Sequence, residues 1–337
     1  MEGFSLPDKR SDRVVLEANL DYWDQSRLPR VRRVVFDNTL GQKEAVEAVK
    51  SGQGRVDLVT GLSPVETLRV AQSPFAAVVK NRGAAGPVFG RFNMRKTGSP
   101  WTDARLRQAV NFAINRADLV RYAANGNGLV IPALVPPGRF GYDPGLKPYP
   151  FDPATARERL REAGYPNGLP ILLIAPEAFK VQATVIAKML EQAGFQVQHQ
   201  VLDSSSYNKK TDLSQLDRPA EQQPWDIALY ADYDWSALPA QLHRRLAVGG
   251  WGTETTEIRP LYDLLLRTVD REKQQDLIRQ MERRTHDQAY LVFLYNPIPL
   301  YAVNKAVQFV PYSDGWLRLT ETSVTDQHWS VRNAAKP

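Results

Sequence analysis

The sequence predicts an α/β fold in two lobes, on three observations. At 337 residues the chain exceeds the roughly 250–300 residues at which a single hydrophobic core stops growing. Strand-like and helix-like hydrophobic periods alternate along the whole chain. Residues 169–202 also form a complete strand–helix–strand passage, which calls for two parallel strands joined by a right-handed crossover. Hydrophobic residues make up 43% and charged residues 24%, ordinary for a soluble globular chain, so disorder is not expected to dominate.

In order along the chain, Arg13–Ala18 and Arg32–Asp37 are expected as strands, with a turn at Asn19–Asp21. A helix from Gln42 to Lys50 should stop at Gly52, since glycine after a final lysine is a good C-cap. Val56–Thr60 is a short apolar strand, and Pro64 opens the next helix. Ala76–Lys80 and Pro87–Asn93 are two further strands. Thr102 or Asp103 then caps one helix running to Ala124, with Leu106, Val110, Ala113, Ala117 and Val120 on its apolar face and Arg105, Arg107 and Arg116 off it. Asn125–Pro150 is rich in glycine and proline, and so long a loop is expected to cover a site.

The middle of the chain carries the clearest pattern. Asp152-Pro153 starts a helix ending at Gly164. Leu169–Ala175 is a buried strand, and Phe179–Ala193 an amphipathic helix with Val181, Val185, Met189 and Ala193 in line, closed by Gly194. Phe195–Leu202 alternates as a strand should. Trp225–Ala231 is another apolar strand. Helices near Pro260–Val269 and Arg271–Gln288, the strand Ala289–Tyr295 and a helix-poor tail, Leu300–Pro337, with short strands such as Ala306–Val310, complete the reading.

Several chemistries are excluded or disfavoured. There is no cysteine, hence no disulfide, thiolate zinc site or cysteine nucleophile. Net charge is +6, and the densest basic stretch, Arg27, Arg30, Arg32 and Arg33, reads as a solvated face, so no nucleic-acid partner is expected. The longest uncharged run, Ala289–Asn304, is interrupted by Asn296, Pro297 and Pro299, against a membrane span. Asp8, Lys9, Arg10, Asp12 and Arg13 occupy the place of a signal peptide's apolar region. His199, His243, His286 and His328 lack metal-ligand spacing, so neither metal nor other cofactor is expected, and no G-x-S-x-G elbow is present. Asn125-Gly126-Asn127-Gly128 and Gly249-Gly250-Trp251-Gly252 read as turns.

One constellation suits a ligand. The strand Trp225–Ala231 delivers Asp232 at the carboxyl edge of a sheet, where open α/β sheets bind ligands. Tyr230, Tyr233 and Trp235 are amphipathic walls beside it, and the glycines flanking Trp251 would let backbone approach a ligand. On the residues alone, Asp232 as a ligand carboxylate and Asp232 as the cap of the next turn both remain open.

Five ordered segments then resemble the family 5 extracellular solute-binding proteins, the oligopeptide-, dipeptide- and nickel-binding receptors of ABC importers. Trp101–Arg116 (WTDARLRQAVNFAINR) resembles the family signature: an aspartate, an Arg-Gln-Ala helix and an Ala-Ile-x-Arg end. Val14–Trp23 resembles its Asn-x-x-Tyr-Trp stretch, and Ser51–Asp57 its Ser-Gly-x-x-Asp with two extra residues. Pro150–Ala156 and Leu160–Pro166 resemble the helix that follows. The resemblance implies a two-lobe fold like periplasmic binding proteins of type II, cluster C, with lobe I incomplete: residues 1–93 as its second part, 94–304 as lobe II, and 305–337 returning to lobe I. It also implies a non-enzymatic receptor that binds a peptide or similar small solute between lobes closing by a hinge and presents it to ABC permease subunits, in the periplasm or at the cell surface. Asp232, in Ala231-Asp232-Tyr233, inherits the aspartate that holds a peptide ammonium, although the following Asp234-Trp235 departs from the family's Asp-Pro. The expected ligand-binding set is Asp232, Tyr230, Tyr233, Trp235, Trp251 and Asn93. A homo-oligomer covering lobe I is a further expectation. Two readings compete: a remnant or cytosolic ligand sensor of the same fold, and a hydrolase using Asp232 and Asp234.

Overall fold

The computed structural model describes residues 12–52, 54–83, 86–211, 223–232, 243–244, 257–313 and 316–334. The chain divides into two compact units, one formed by Met1–Ala84 with Ile298–Pro337, the other by Ala85–Pro297. Strands are β1 (Arg13–Glu17), β2 (Arg33–Asp37), β3 (Leu58–Val59), β4 (Ala76–Lys80), β5 (Val88–Phe92), β6 (Gly128–Val130), β7 (Pro170–Pro176), β8 (Gln196–Leu202), β9 (Ile227–Ala231), β10 (Leu291–Pro297), β11 (Leu300–Asn304), β12 (Val307–Gln308) and β13 (Ser323–Val324).

The smaller unit holds three short sheets: β1–β2, β3–β11–β4 and β12–β13, each antiparallel. In the β1–β2 hairpin Val14 faces Phe36 and Leu16 faces Val34, so one face is wholly apolar. The other face sets Arg13 opposite Asp37 and Glu17 opposite Arg33, opposite charges placed where cross-strand pairs attract. Helix α1 (Gln42–Ser51) ends where expected, at Gly52 in the left-handed region with φ 66°. Helix α2 (Glu66–Ala71) follows, two residues later than Pro64 suggested.

The larger unit is built on a six-stranded sheet in the order β6-β10-β5-β9-β7-β8. β7 lies between β8 and β9 and is parallel to both; β5 runs antiparallel to both β9 and β10. The expected parallel pair is present, with Pro170 opposite Gln196 through Pro176 opposite Leu202. Between these two strands lies α6 (Lys180–Gln192). Every residue of β5 is buried, so its five residues read as a central strand rather than a half-solvated one. The sequence placed the crossings near Asn93 and Asn304, whereas the units divide earlier on both sides. β5 pairs along its length with β9, carrying Asn93 into the larger unit, and β11 pairs with β3 and β4 in the smaller one.

Three expectations are corrected. The helix after Asp103 is two helices, α3 (Ala104–Ala113) and α4 (Arg116–Ala123), broken at an extended Ile114 and restarted by the Asn115 cap. The break is stabilised by Arg116, which is buried rather than off the core. Its guanidinium donates to the carbonyls of Asn111, Ile114 and Phe293 and to Asn111 Oδ1. Burial pulls that guanidinium down to about 10. Arg107 is likewise buried and donates to the carbonyls of Gln288 and Trp101. Next, α6 is buried deepest at Ala183, Ile186, Ala187 and Leu190; of the expected stripe Ala193 is buried, Val185 and Met189 pack half-buried against the same core, and only Val181 is exposed. Finally, Asn125–Pro150 is not a simple cover. It contributes β6, which pairs with β10, and a fully buried run at residues 131–136. Glu282 accepts the backbone N–H groups of Leu134 and Val135 there, at 3.3 and 2.8 Å. Helix α5 (Pro153–Glu162), capped by Asp152, is where the sequence put it.

Candidate functional site

The parallel strands β7, β8 and β9 all end on one edge of the large sheet. β5 begins there, because Val88 lies opposite Ala231, and β10 ends there, with Pro297 opposite the first residue of β6. Gly86 donates its N–H to the buried Asn296 Oδ1 at 2.8 Å along that edge.

Asp232 leaves β9 at this edge. Its N–H donates to the Pro87 carbonyl at 3.2 Å, extending the β5–β9 ladder by one pair. The carboxylate-bearing residue is thus half-buried and set by an antiparallel ladder on one side of β9 and a parallel one on the other. Period-two alternation puts Tyr230 on the same face, one repeat further in. Tyr230 lies opposite Phe89, with ring centroids 5.7 Å apart. Arg91, opposite Ala228, belongs to that face too, and its Cζ sits 3.4 Å from the Tyr230 ring centroid. That distance is well inside cation–π range. Ile174, Trp225, Ala228 and Tyr207 of α7 (Ser204–Thr211) pack together beside it.

The structure separates Asn93 from Asp232 and Tyr230. Asn93 N–H donates to the Asp226 carbonyl, so Asn93 ends the ladder at the opposite edge from Asp232. Two residue pairs of the same face, 91/228 and 89/230, lie between the 93/226 and 87/232 levels, which are about 20 Å apart at ~3.3 Å per residue. Asn93 is fully buried, and its amide donates to the carbonyls of Gln223 and Trp225 at 3.2 Å each. It ties strand ends together; a ligand beside Asp232 is out of its reach. Tyr233, Trp235 and Trp251 lie outside the described residues.

Two clusters were missed by sequence reasoning. Asp226, at the inner end of β9, pairs with Lys96, accepts from Trp101 Nε1 at 3.2 Å and accepts the Leu172 N–H at 2.8 Å. Arg91 is the other: a charge at the fourth position of the otherwise apolar VFGRF strand was the available signal. Among the described residues no cluster of His, Asp and Glu could hold a metal ion. His243 is instead buried against Glu282 at 2.7 Å. His328 lies 3.1 Å from Asp57 without hydrogen-bonding geometry, and its Nδ1 takes both the Ser330 hydroxyl (2.7 Å) and the Ser330 N–H (3.3 Å), a helix-capping arrangement. No helix among the described residues is long and apolar enough to cross a membrane.

Comparison with known proteins follows this geometry. The model of bacterial extracellular solute-binding proteins, family 5 middle, matches residues 7–251. The glutathione-binding protein GsiB of Escherichia coli O1:K1 is 27% identical over 203 residues, covering 58% of this chain and 37% of GsiB. GsiB of strain K12 is 36% identical over 115 residues, 33% of this chain. The chain therefore spans well under half the length of the curated relatives it matches. Among solved structures, the periplasmic binding protein DppA of Helicobacter pylori in complex with peptide STSA superposes with a TM-score of 0.76 at 21% identity, covering 96% of this chain and 62% of DppA. The oligopeptide-binding protein AppA of Bacillus subtilis, in complex with a nonapeptide, superposes at 0.73 and 16% identity, covering 94% and 65%. The shared fold is that of periplasmic binding proteins.

Proposed function

The chain belongs to the family 5 bacterial extracellular solute-binding proteins, and from that premise we propose that it captures a peptide for an ABC importer, with Asp232 holding the ligand's ammonium group. The observation that carries this reading is the placement of Asp232: a half-buried carboxylate at the carboxyl edge of a largely parallel three-strand segment, with an aromatic side chain on its own face. A fixed carboxylate in a water-poor site makes a strong charge-assisted bond to an ammonium. The relatives support the ligand class: GsiB is named for glutathione, itself a small peptide, and the DppA and AppA structures hold peptides. The receptor works outside the cytoplasm and passes its ligand to permease subunits of the importer. Apolar side chains exposed on the smaller unit, among them Leu20, Trp23 and Leu68, support self-association there.

Calorimetry with short peptides bearing a free amino terminus tests the central claim. Asp232→Asn is expected to weaken binding by about 2–5 kcal/mol, the scale for removing one partner of a buried charge pair. Equal affinity of the two proteins would sink the assignment. Light scattering gives the molar mass and decides the self-association.

A further inference from the structure

The sheet of the larger unit has two outer strands, and they are protected very differently. β6 is three residues long, begins with glycine and offers little edge to pair with. β8, QVQHQVL, is seven residues long and follows β7 through an unbroken register. It contains no Asp, Glu, Lys, Arg, Pro or Gly, and its register has no bulge, so the usual devices that blunt a strand edge are missing. Among the described residues no strand lies on its outer side. Gln198, His199 and Gln200 are exposed in succession, so both faces of the strand's middle meet solvent. We propose that β8 is a dimerisation edge, pairing antiparallel with β8 of a second copy of this chain about a twofold axis at His199. The proposal concerns the larger unit alone and is independent of the ligand.

The backbone directions select this register. Gln196 donates its N–H to the Leu169 carbonyl, towards β7. The N–H and C=O of one residue point to the same side of a strand, and the side alternates along it. Gln196, Gln198, Gln200 and Leu202 therefore bond to β7, while Val197, His199 and Val201 turn their backbone groups outward.

Around His199 the sequence is close to a palindrome, with glutamine at 198 and 200 and valine at 197 and 201. A twofold axis there sets His199 opposite His199 and Val197 opposite Val201, each pair exchanging two N–H···O bonds. Every outward group of the strand is then used, and no other centre within β8 engages all three outward residues. Gln198 falls opposite Gln200 on the other face, so no like charges oppose each other. Self-complementarity is what a contact between identical copies requires, since one patch must satisfy itself. The axis stands perpendicular to the sheet, and the two six-stranded sheets become one. Asp232 lies just past the end of β9, and β7 separates β9 from the join, so the candidate ligand residue takes no part in the contact.

Sedimentation equilibrium of the full chain over a range of concentrations tests this. The unaltered protein should show a reversible monomer–dimer equilibrium; a monomer throughout overturns the proposal. His199→Pro removes an outward N–H that the β7 ladder does not use, a change edge strands tolerate, and should abolish the dimer. Gln198→Lys with Gln200→Lys sets like charges opposite one another on both sides of the axis and should weaken the dimer about 10-fold or more. Gln198→Lys with Gln200→Glu sets opposite charges there and should dimerise at least as tightly as the unaltered protein. Both positions are exposed, so far-UV circular dichroism of the two double variants should match that of the unaltered protein and keep a folding defect from passing as dissociation. Equal dimerisation by every variant means that association uses another surface, such as the exposed apolar side chains of the smaller unit, and overturns the proposal. Equal weakening by both double variants also overturns it, because position 198 then does not face position 200.

Discussion

The β1–β2 hairpin of the smaller unit and the central strands of the larger one are buried to very different depths. In the larger one, β5 and most of β10 are buried on both faces and join a core that runs from Val88 to Tyr295. In the smaller one, no residue of β1 or β2 is fully buried, and Trp23 in their connection is 82% exposed. Each hairpin strand carries a run of three apolar residues between charged ends, Val14–Leu16 and Val34–Phe36. An apolar run announces a strand; the number of neighbours the strand finds decides how much stability it contributes.

The largest expected difference is in hydrogen exchange. Two-stranded hairpins are marginal by themselves, so amides of β1 and β2 should exchange through local opening. Those of β10 should exchange only with global unfolding, a gap on the order of 5 kcal/mol in opening free energy. Equal protection in the two sheets would break the comparison. Next in size is Phe293→Ala, which empties a fully buried site in the larger unit and should cost about 3–5 kcal/mol in denaturant melts. Leu68→Ala, on the exposed face of α2, should change stability by no more than about 0.5 kcal/mol. Asp226→Asn removes the charge that Lys96 faces and should cost about 3 kcal/mol, the low end for breaking a buried pair. A smaller loss, about 1 kcal/mol, is expected for Asn115→Ala, whose side chain accepts from the Asp118 N–H to restart α4.

The smallest effect is with acid. The Thr155 hydroxyl and nearby N–H groups hold the Asp152 carboxyl below the usual range. Backbone N–H groups of Lys273 and Glu272 do the same for Asp270, and Ser206 for Asp203. Each sits lower folded than unfolded, so its contribution is present above the ordinary carboxylate range and is lost as pH falls through the folded value, below about pH 4. Asp37, held down by Thr39, is the counterpart among the described residues of the smaller unit. Acid melts followed by exchange should show the larger unit losing more stability in that window.

Most elements were legible because their signals are local. Gly52 and Gly194 in the left-handed region, the Asp103 and Asp152 caps and the alternation of β8 each act within a few residues. What escaped depended on distant partners. The α3–α4 break is stabilised by Arg116 reaching the carbonyl of Phe293, so a charged residue read as solvent-facing became core. The positions of Tyr230 near the end of β9 and of Asp232 just past it were legible because the strand's apolar run is a local signal. Asn93 was misplaced because only the β5–β9 register reveals which sheet edge it occupies. Arg91 was missed for the same reason: its relation to Tyr230 exists across strands and nowhere along the chain.

The central position of β5 has a consequence in time. Its two neighbours, β9 and β10, begin about 135 and 200 residues further along the chain than β5 ends. At ribosomal speeds of ~5–20 residues per second, Val88–Phe92 waits roughly 10–40 s before its second partner has been synthesised. Until β9 is made both edges of this apolar strand are open, and one stays open until β10 follows, the condition under which chains pair with the wrong neighbour. Its lone arginine, Arg91, is then a gatekeeper against aggregation before it is anything else.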